Sequence, residues 1–324
     1  MRKRIAVLIT VLMIAGCLTA CSGGAERSGK KQIVATIFPE YDWVMNVLGD
    51  KAEDYDVTML LDNGVDLHSF QATAQDIMKI SSCDMLIYVG GESDEWIEDA
   101  IEEAVNKDMV VINLLETLGD AVKEEELVEG MEGEDCEEED GEEEETEYDE
   151  HVWLSLRNAE VIVNAIADAF GSIDSANAAV YSSNAAAYAG KLKDLDAEYS
   201  EAVRQASVKT LLFGDRFPFR YLTDDYGLGY YAAFVGCSAE TEASFETVVF
   251  LANKLDELGL NTILTIENSD GKIAETIKNN SKNADREIMV LDSMQATTSK
   301  DIKAGATYLT IMEKNLEVLK KALR

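Results

Sequence analysis

The chain contains only two histidines, His68 and His151, and the sequence places both where they can face a ligand. His68 lies in a loop that follows a predicted strand, and His151 lies at a predicted helix start. Neutral imidazole nitrogens, together with carboxylates, form ligand sets for zinc, manganese or iron(II). Any mechanism that needs three histidines is excluded.

Three carboxylates in the second half of the chain each follow a predicted strand. They are Asp215 after 210–213, Glu267 after 262–266 and Asp292 after 287–291. Ligands of open α/β sheets bind at the carboxyl ends of the strands, so we expect these carboxylates and both histidines to converge on one cleft. Each carboxylate alone also fits a plainer role as a helix N-cap or a turn residue. Their common position on one rim favours a metal site.

Short β-branched runs alternate with helical patterns on both sides of a long helical stretch. The predicted strands are 32–38, 56–61, 85–89 and 109–114, then 210–213, 230–234, 262–266 and 287–291. This alternation predicts parallel sheets flanked by helices. Residues 174–206 contain no proline and one glycine, which predicts a single helix.

The predicted fold is therefore α/β with two lobes, each a four-stranded mainly parallel sheet flanked by helices. One long backbone helix joins them. We expect the N-terminal lobe at 32–172 and the C-terminal lobe at 207–324.

The N-terminus has the pattern of a secretory signal, with Arg2, Lys3 and Arg4 before an apolar run at 5–18. That run is too short for a bilayer, which needs about 20 residues. The sequence LTAC at 18–21 resembles the lipobox of bacterial lipoproteins. The resemblance implies a signal peptide at 1–20, lipidation of Cys21, a tether at 21–31, and a mature protein held outside the cytoplasmic membrane by its acyl chains.

The cysteines downstream of the lipobox, Cys83, Cys136 and Cys237, have no metal-type spacing. Outside the cell a Cys83–Cys237 disulfide is one option that the sequence leaves open.

The formal net charge of −35 is concentrated in one segment. Residues 124–150 contain 18 Asp or Glu and no Lys or Arg, which is about half of the net charge. Such a charge argues against nucleic acid as a partner and permits divalent cations. Like charges at this density repel, so we expect 124–150 to be a disordered or loosely ordered loop.

Two motifs resemble a known family, the zinc- and manganese-binding proteins of ABC importers. GVDLHSFQAT at 64–73 is similar to the family's first metal-ligand motif, and EHVWLS at 150–155 is similar to its second. The long helix, the lipobox and the C-terminal region are similar too, so the resemblance covers nearly the whole mature chain. It implies one divalent cation between two lobes, with His68, His151 and Asp292 among its ligands.

The chain departs from the family at the third ligand, which is a His or Glu in the family. Gly214 occupies that position, so either Asp215 takes the role one residue along or Glu267 fills the gap. Two histidines and two carboxylates suit Zn²⁺ or Mn²⁺, and we favour Zn²⁺ as the transported ligand because most sites bind it more tightly.

The expected function is extracytoplasmic capture of Zn²⁺ or Mn²⁺ by a monomeric lipoprotein that delivers it to the permease and ATPase subunits of an ABC importer. The alternatives are a metal-dependent hydrolase and a lipid-anchored surface adhesin. The chain has no HExxH, GxSxG or P-loop motif, and four protein ligands would leave no position for a catalytic water. We therefore expect no enzyme activity, whereas adhesion could coexist with metal binding.

Overall fold

The structure is a computed structural model that describes residues 29–132, 147–238 and 242–324. The predicted signal peptide at 1–20, the predicted lipidation site Cys21, and Cys136 lie outside the described residues. Residues Gln32–Arg324 group as one unit by their contacts. Among the described residues, every helix falls short of the length and apolar character that crossing a membrane requires.

Strands and helices alternate along this unit, as predicted. The strands of the described residues are β1 (Lys31–Ala35), β2 (Tyr55–Met59), β3 (Met85–Tyr88), β4 (Val110–Asn113), β5 (Thr210–Leu212), β6 (Arg216–Phe217), β7 (Gly229–Tyr231), β8 (Phe234–Val235), β9 (Thr262–Thr265) and β10 (Glu287–Val290). The helices are α1 (Phe38–Leu48), α2 (Ala74–Ser82), α3 (Glu95–Glu102), α4 (Leu114–Leu118), α5 (Leu156–Ile173), α6 (Ala178–Gln205), α7 (Arg220–Tyr226), α8 (Phe245–Leu258), α9 (Lys272–Asn280), α10 (Ser299–Lys303) and α11 (Tyr308–Ala322).

The N-terminal lobe contains a four-stranded sheet in the order β2-β1-β3-β4. Strand β3 pairs in parallel with both β1 and β4. All four residues of β3 are buried, as expected for a central strand of a sheet covered on both faces. The loops that follow these strands, including the loop of His68, are therefore attached to a buried sheet.

The C-terminal lobe contains parallel pairs β5–β7 and β9–β10. A parallel bridge between Phe213 and Leu264 links them, which gives the order β7-β5-β9-β10. The strand predicted at 230–234 is split, since the chain leaves β7 and continues as β8, which pairs with β6. The backbone N–H of Ala233 donates to the carbonyl oxygen of Asp215 at 3.2 Å, outside the β5–β7 ladder, and this contact with a distant part of the chain ends β7.

The long helix is confirmed as α6, which has 28 residues and spans about 42 Å at 1.5 Å per residue. It begins four residues later than predicted because Asp174 ends the preceding helix instead. The Asp174 carboxylate accepts hydrogen bonds from Asn177 Nδ2 at 2.7 Å and from the Tyr181 hydroxyl at 2.6 Å.

One hydrophobic core runs through both lobes, and a smaller one lies under α8 and α9. Trp153 belongs to the larger core and is fully buried. Its indole N–H donates to the carbonyl oxygen of Ser293 at 2.8 Å, and its own carbonyl accepts from the Tyr308 hydroxyl at 2.7 Å. The turn after His151 is thereby fixed to the C-terminal lobe.

The acidic segment at 124–150 is described only at its two ends, and both ends are held in place. The backbone N–H of Glu125 donates to the Glu147 carbonyl at 3.0 Å, and that of Asp149 donates to the Lys123 carbonyl at 2.9 Å. The expectation of a loosely ordered loop is therefore wrong for these ends, because backbone pairing holds the two flanks together. Residues 133–146 lie outside the described residues.

Candidate metal centre

His68 is presented by a short 3₁₀ turn, Leu67–Ser69. Asp66 caps this turn, because its Oδ1 accepts a hydrogen bond from the backbone N–H of Ser69 at 3.0 Å. The Leu67 side chain is buried and anchors the turn in the core. The His68 side chain is itself only 4% exposed, so it faces inward.

His151 is fully buried and follows the acidic segment. Asp149 Oδ1 accepts from its backbone N–H at 2.8 Å and lies 3.1 Å from its ring Nδ1. A carboxylate at this distance holds the proton on Nδ1 and leaves the lone pair on Nε2. The helix predicted from residue 152 starts instead at Leu156, because the Ser155 side chain caps it at the N–H of Asn158.

The two imidazoles face each other through their Nε2 atoms, which are 3.1 Å apart. Two nitrogens bound to one tetrahedral zinc at about 2.0–2.1 Å would lie about 3.3 Å apart. Burial, and next the neighbouring His151, lower the pKa of His68 to about 3, so the ring is neutral at physiological pH. Neutral imidazole is the form that binds a metal.

Ser93 and Glu150 contact the His68 ring at its Nδ1 side, opposite the Nε2 that faces His151. The Ser93 hydroxyl lies 2.8 Å from His68 Nδ1, and the Ser93 N–H donates to Glu150 Oε1 at 2.9 Å. Glu150 Oε2 lies 3.5 Å from His68 Nδ1. Outer contacts of this kind orient metal-binding histidines in known sites.

Cys237 is a third donor that the sequence reasoning missed. The ligand atoms of His68, His151 and Cys237 all lie within 4.8 Å of one another, and this is the one group of three metal-type donors in the described residues. No spacing signal marks Cys237 in the sequence, because the turn that carries it meets His151 only through the fold. Cys237 and Cys83 are both free thiols, so the disulfide left open by the sequence is not formed.

The three predicted carboxylates lie at their strand ends but outside this group of donors, and each has partners of its own. Asp215 Oδ1 accepts from the N–H of Arg216 at 2.9 Å. Glu267 accepts from Ser293 N and Oγ at 2.6 and 2.8 Å. Asp292 Oδ1 accepts from the N–H of Met294 at 2.8 Å.

Asp215 and Glu267 line a separate cavity of about 370 Å³ between the lobes. An ion pair between Asp66 Oδ2 and Arg216 Nη2 at 2.7 Å lies at its wall. Burial, and next the charge of Glu267, raise the pKa of Asp292 to about 6. In the part of the chain that the structure describes, the two histidines converge as expected, whereas the three carboxylates stay outside their group of donors.

Known zinc-binding proteins resemble this chain over almost its whole length. Zinc-binding lipoprotein AdcA of Streptococcus pneumoniae strain R6 is 32% identical over 319 residues, which cover 98% of this chain and 61% of that protein. High-affinity zinc uptake system protein ZnuA of Bacillus subtilis strain 168 is 29% identical over 315 residues, which cover 96% of this chain and 94% of that one.

Solved structures show the same likeness. The Zn(II)-bound ZnuA-like domain of Streptococcus pneumoniae AdcA superposes with a TM-score of 0.70 at 29% identity, and the match covers 91% of this chain and 99% of that one. The chain spans 61% of the length of the curated AdcA proteins it matches.

Residues 33–322 match the family model described as ZnuA, zinc-uptake complex component A, periplasmic. The match covers most of the 324 residues, and it confirms the resemblance to this family. The chain belongs to the ZnuA family of metal-binding components of zinc-uptake systems.

Proposed function

We propose that this protein captures Zn²⁺ outside the cytoplasmic membrane and delivers it to an ABC importer. It binds and releases its cargo without changing it chemically, and so acts as a carrier and not as an enzyme. The observation that carries the proposal is the pair of buried imidazoles whose Nε2 atoms lie 3.1 Å apart.

This pair fits a divalent metal better than it fits a purely structural role. Two neutral rings with facing Nε2 atoms can share only one proton between them, whereas a metal ion uses both lone pairs at once. His151 already places its proton on the side of Asp149, so its Nε2 is free to donate electrons. Both rings are thus held in the form that binds zinc.

The remaining ligands come from the C-terminal lobe in this proposal. Asp292 and Asp215, with Glu267 as the substitute, are the carboxylate candidates that the strand ends present. Zn²⁺ is favoured over Mn²⁺ because sites of imidazole and mixed donors bind zinc more tightly, although geometry and supply also decide which metal is loaded.

The partners are the permease and ATPase subunits of the importer. We infer that lipidation of Cys21 holds a monomer at the membrane, so that loaded protein stays near the permease. Copurification of the full chain with the permease, from membranes that contain both, tests this partnership.

The central test replaces both histidines by alanine. His68→Ala with His151→Ala should weaken Zn²⁺ binding at least about 1000-fold, which equals about 4 kcal/mol, while the fold persists because both side chains lie at the ends of loops. Competition between the purified full chain and a zinc chelator measures the affinity, and a parallel titration measures Mn²⁺.

A matched control removes two exposed carboxylates, Glu201 and Glu317, which pair with Arg204 and Lys320. The control should bind zinc like the parent. Stoichiometric, tight zinc in the double histidine variant would contradict the proposed function.

A further inference from the structure

We propose that Cys237 is a metal ligand from the C-terminal lobe, so that two imidazoles and one thiolate hold the ion and one position remains for a carboxylate or water. This inference rests on the proposed function and names the donor that sets the metal preference of the site. A thiolate favours Zn²⁺ and other thiophilic ions, whereas Mn²⁺ prefers carboxylate, carbonyl and water oxygens.

The distances allow one ion to reach all three donors. The Sγ of Cys237 lies within 4.8 Å of a ring nitrogen of both His68 and His151. In a tetrahedral zinc site with Zn–S of about 2.3 Å and Zn–N of about 2.0–2.1 Å, sulfur and nitrogen are about 3.6 Å apart. A shift of about 1.2 Å at most along each sulfur–nitrogen line brings the thiol to this distance.

The backbone brings Cys237 to His151 through a close approach at Gly236. A Cβ atom at Gly236 would lie 2.9 Å from His151 Cε1 and 2.9 Å from the carbonyl oxygen of Phe217. Both distances are too short for a side chain, so glycine lets this turn pass directly against the imidazole. The thiol of the next residue is thereby placed beside the ring.

Cys237 is also available as a donor. The other described free thiol, Cys83, is engaged elsewhere, with its Sγ 3.2 Å from Met109 Sδ and 3.2 Å from the Ile80 carbonyl oxygen. Cys237 is therefore not bonded to Cys83. Its thiol lies beside the histidine pair instead.

Two carboxylates with buried oxygens add negative charge around these donors. Glu150 Oε2 and Glu125 Oε1 are buried without a hydrogen-bond partner in the part of the chain that the structure describes. The Glu150 residue is only 2% exposed, and Glu125 lines the same small cavity as Gly236, the neighbour of Cys237. Unsatisfied buried acceptors are costly, and a divalent ion held by the neighbouring donors would offset their charge.

Metal binding by these three residues needs no oxidant or reductant. The Cys237 S–H bond breaks and its proton passes to water, a Zn–S bond forms, and the ion loses bound water molecules. The two imidazoles form Zn–N bonds through Nε2. A fourth position is left for a carboxylate such as Asp292 or for water.

Cobalt(II) substitution tests the assignment, because Co²⁺ bound by a thiolate shows a strong charge-transfer absorption in the near ultraviolet and Co²⁺ bound by nitrogen and oxygen alone does not. The experiment uses the full chain with Cys17→Ser and Cys21→Ser as the parent. Cys237→Ser is compared with Cys136→Ser, a control that removes a thiol from the acidic segment. Circular dichroism of the metal-free proteins checks the fold, and Cys237→Ala replaces the serine variant if that one does not fold.

We expect the absorption in the parent and in Cys136→Ser, and its loss in Cys237→Ser. The Zn²⁺ affinity of Cys237→Ser should fall more than about 100-fold, beyond the range typical of outer-shell losses, while weak Mn²⁺ binding should change much less. Absorption that survives in Cys237→Ser, or that disappears in Cys136→Ser, would overturn the assignment.

A parent that binds zinc through His68 and His151 but shows no thiolate absorption would also overturn it, while leaving the proposed function intact. A parent that binds no zinc at all would refute both. The double histidine variant described above distinguishes these two cases.

Discussion

A single carboxylate determines which nitrogen of His151 faces the candidate metal centre. Asp149 Oδ1 accepts from the backbone N–H of His151 at 2.8 Å and lies 3.1 Å from ring Nδ1. The residue is only 2% exposed, so water does not compete for this contact. Asp149 therefore fixes both the position of the ring and its tautomer.

Replacement of Asp149 by alanine should weaken Zn²⁺ binding about 10- to 100-fold, the usual effect of losing a carboxylate that supports a metal-binding histidine. Asp149→Asn should lose less, since an amide oxygen can still accept from Nδ1. Chelator competition measures both, with Tyr148→Ala at the half-exposed neighbouring position as the control. If Asp149→Ala binds zinc within threefold of the parent, Asp149 does not support the metal centre.

At this scale the sequence predicted part of the site and missed part of it. His68 and His151 were recognisable because each stands in a motif next to a predicted element. Glu267 was predicted as a possible ligand from its strand end, yet its carboxylate accepts from the 293–296 loop. Cys237 could not be found, because its approach to His151 depends on the tertiary contact at Gly236.

Among the elements, the acidic segment is more closely tied to the C-terminal lobe than its composition predicts. The Glu132 N–H donates to the Ala233 carbonyl at 2.9 Å, and Glu132 forms a parallel bridge with Phe234. Gly130 has φ of +80°, and a Cβ there would lie 2.1 Å from the Phe250 ring. These contacts place the start of the segment against the strand that leads to Cys237.

Two deletions should therefore behave differently. Removing 133–146 with a short Gly/Ser linker should leave the tight zinc site within about threefold of the parent, because His68, His151 and Cys237 all lie outside that stretch. Removing 124–147 should weaken it at least about tenfold, since the backbone pairing beside Phe234 is lost.

Zinc competition and thermal unfolding of both deletions check this prediction. The idea that the described flanks support the site fails if the two deletions bind zinc equally well. A hundredfold loss on removing 133–146 would instead make that stretch a source of ligands.

Secondary structure was largely predictable at the scale of elements. Helices α8 and α9 each have clear apolar spacing and begin after a turn residue, which makes them recognisable from the local pattern. The strand predicted at 230–234 is divided because the pairing of β8 with β6 is a tertiary effect. Local sequence patterns predict where a strand occurs, but they do not determine which strand it pairs with.

In the whole molecule, polar contacts between the lobes surround the apolar core that they share. Asp66 of the N-terminal lobe pairs with Arg216 of the C-terminal lobe at 2.7 Å. Asp62 Oδ2 likewise accepts from the Ser299 hydroxyl at 2.6 Å. Because Asp66 also caps the turn of His68, the position of the first histidine is coupled to the contact between the lobes.

A buried carboxylate, Asp42, links three helices away from the metal centre. Its Oδ2 accepts from Asn46 of α1 at 3.1 Å, from the Tyr188 hydroxyl of α6 at 3.2 Å and from the Tyr308 N–H of α11 at 3.3 Å. Burial raises the pKa of Asp42 from 3.8 to about 6 despite these hydrogen bonds. The folded protein therefore binds a proton at Asp42 more tightly than the unfolded chain does.

This difference predicts how the stability of the whole fold depends on pH. As pH rises from about 4 to above 6, the folded state must ionise a buried carboxylate that the unfolded chain ionises more readily, so the free energy of unfolding falls. Asp42→Asn has no such proton and keeps an acceptor oxygen. Its stability relative to the parent should therefore increase over this range, by up to about 3 kcal/mol for a shift of about two pKa units.

Urea unfolding at a series of pH values between about 4 and 7 measures the gap, which is the difference in the free energy of unfolding between Asp42→Asn and the parent. Asp120→Asn, at an exposed position, controls for the loss of one negative charge. A gap that stays constant with pH would show that Asp42 ionises in the folded protein as it does in the unfolded chain. A gap that grows with pH for Asp42→Asn alone would show that the junction of the three helices is built around a carboxyl group that favours its protonated form.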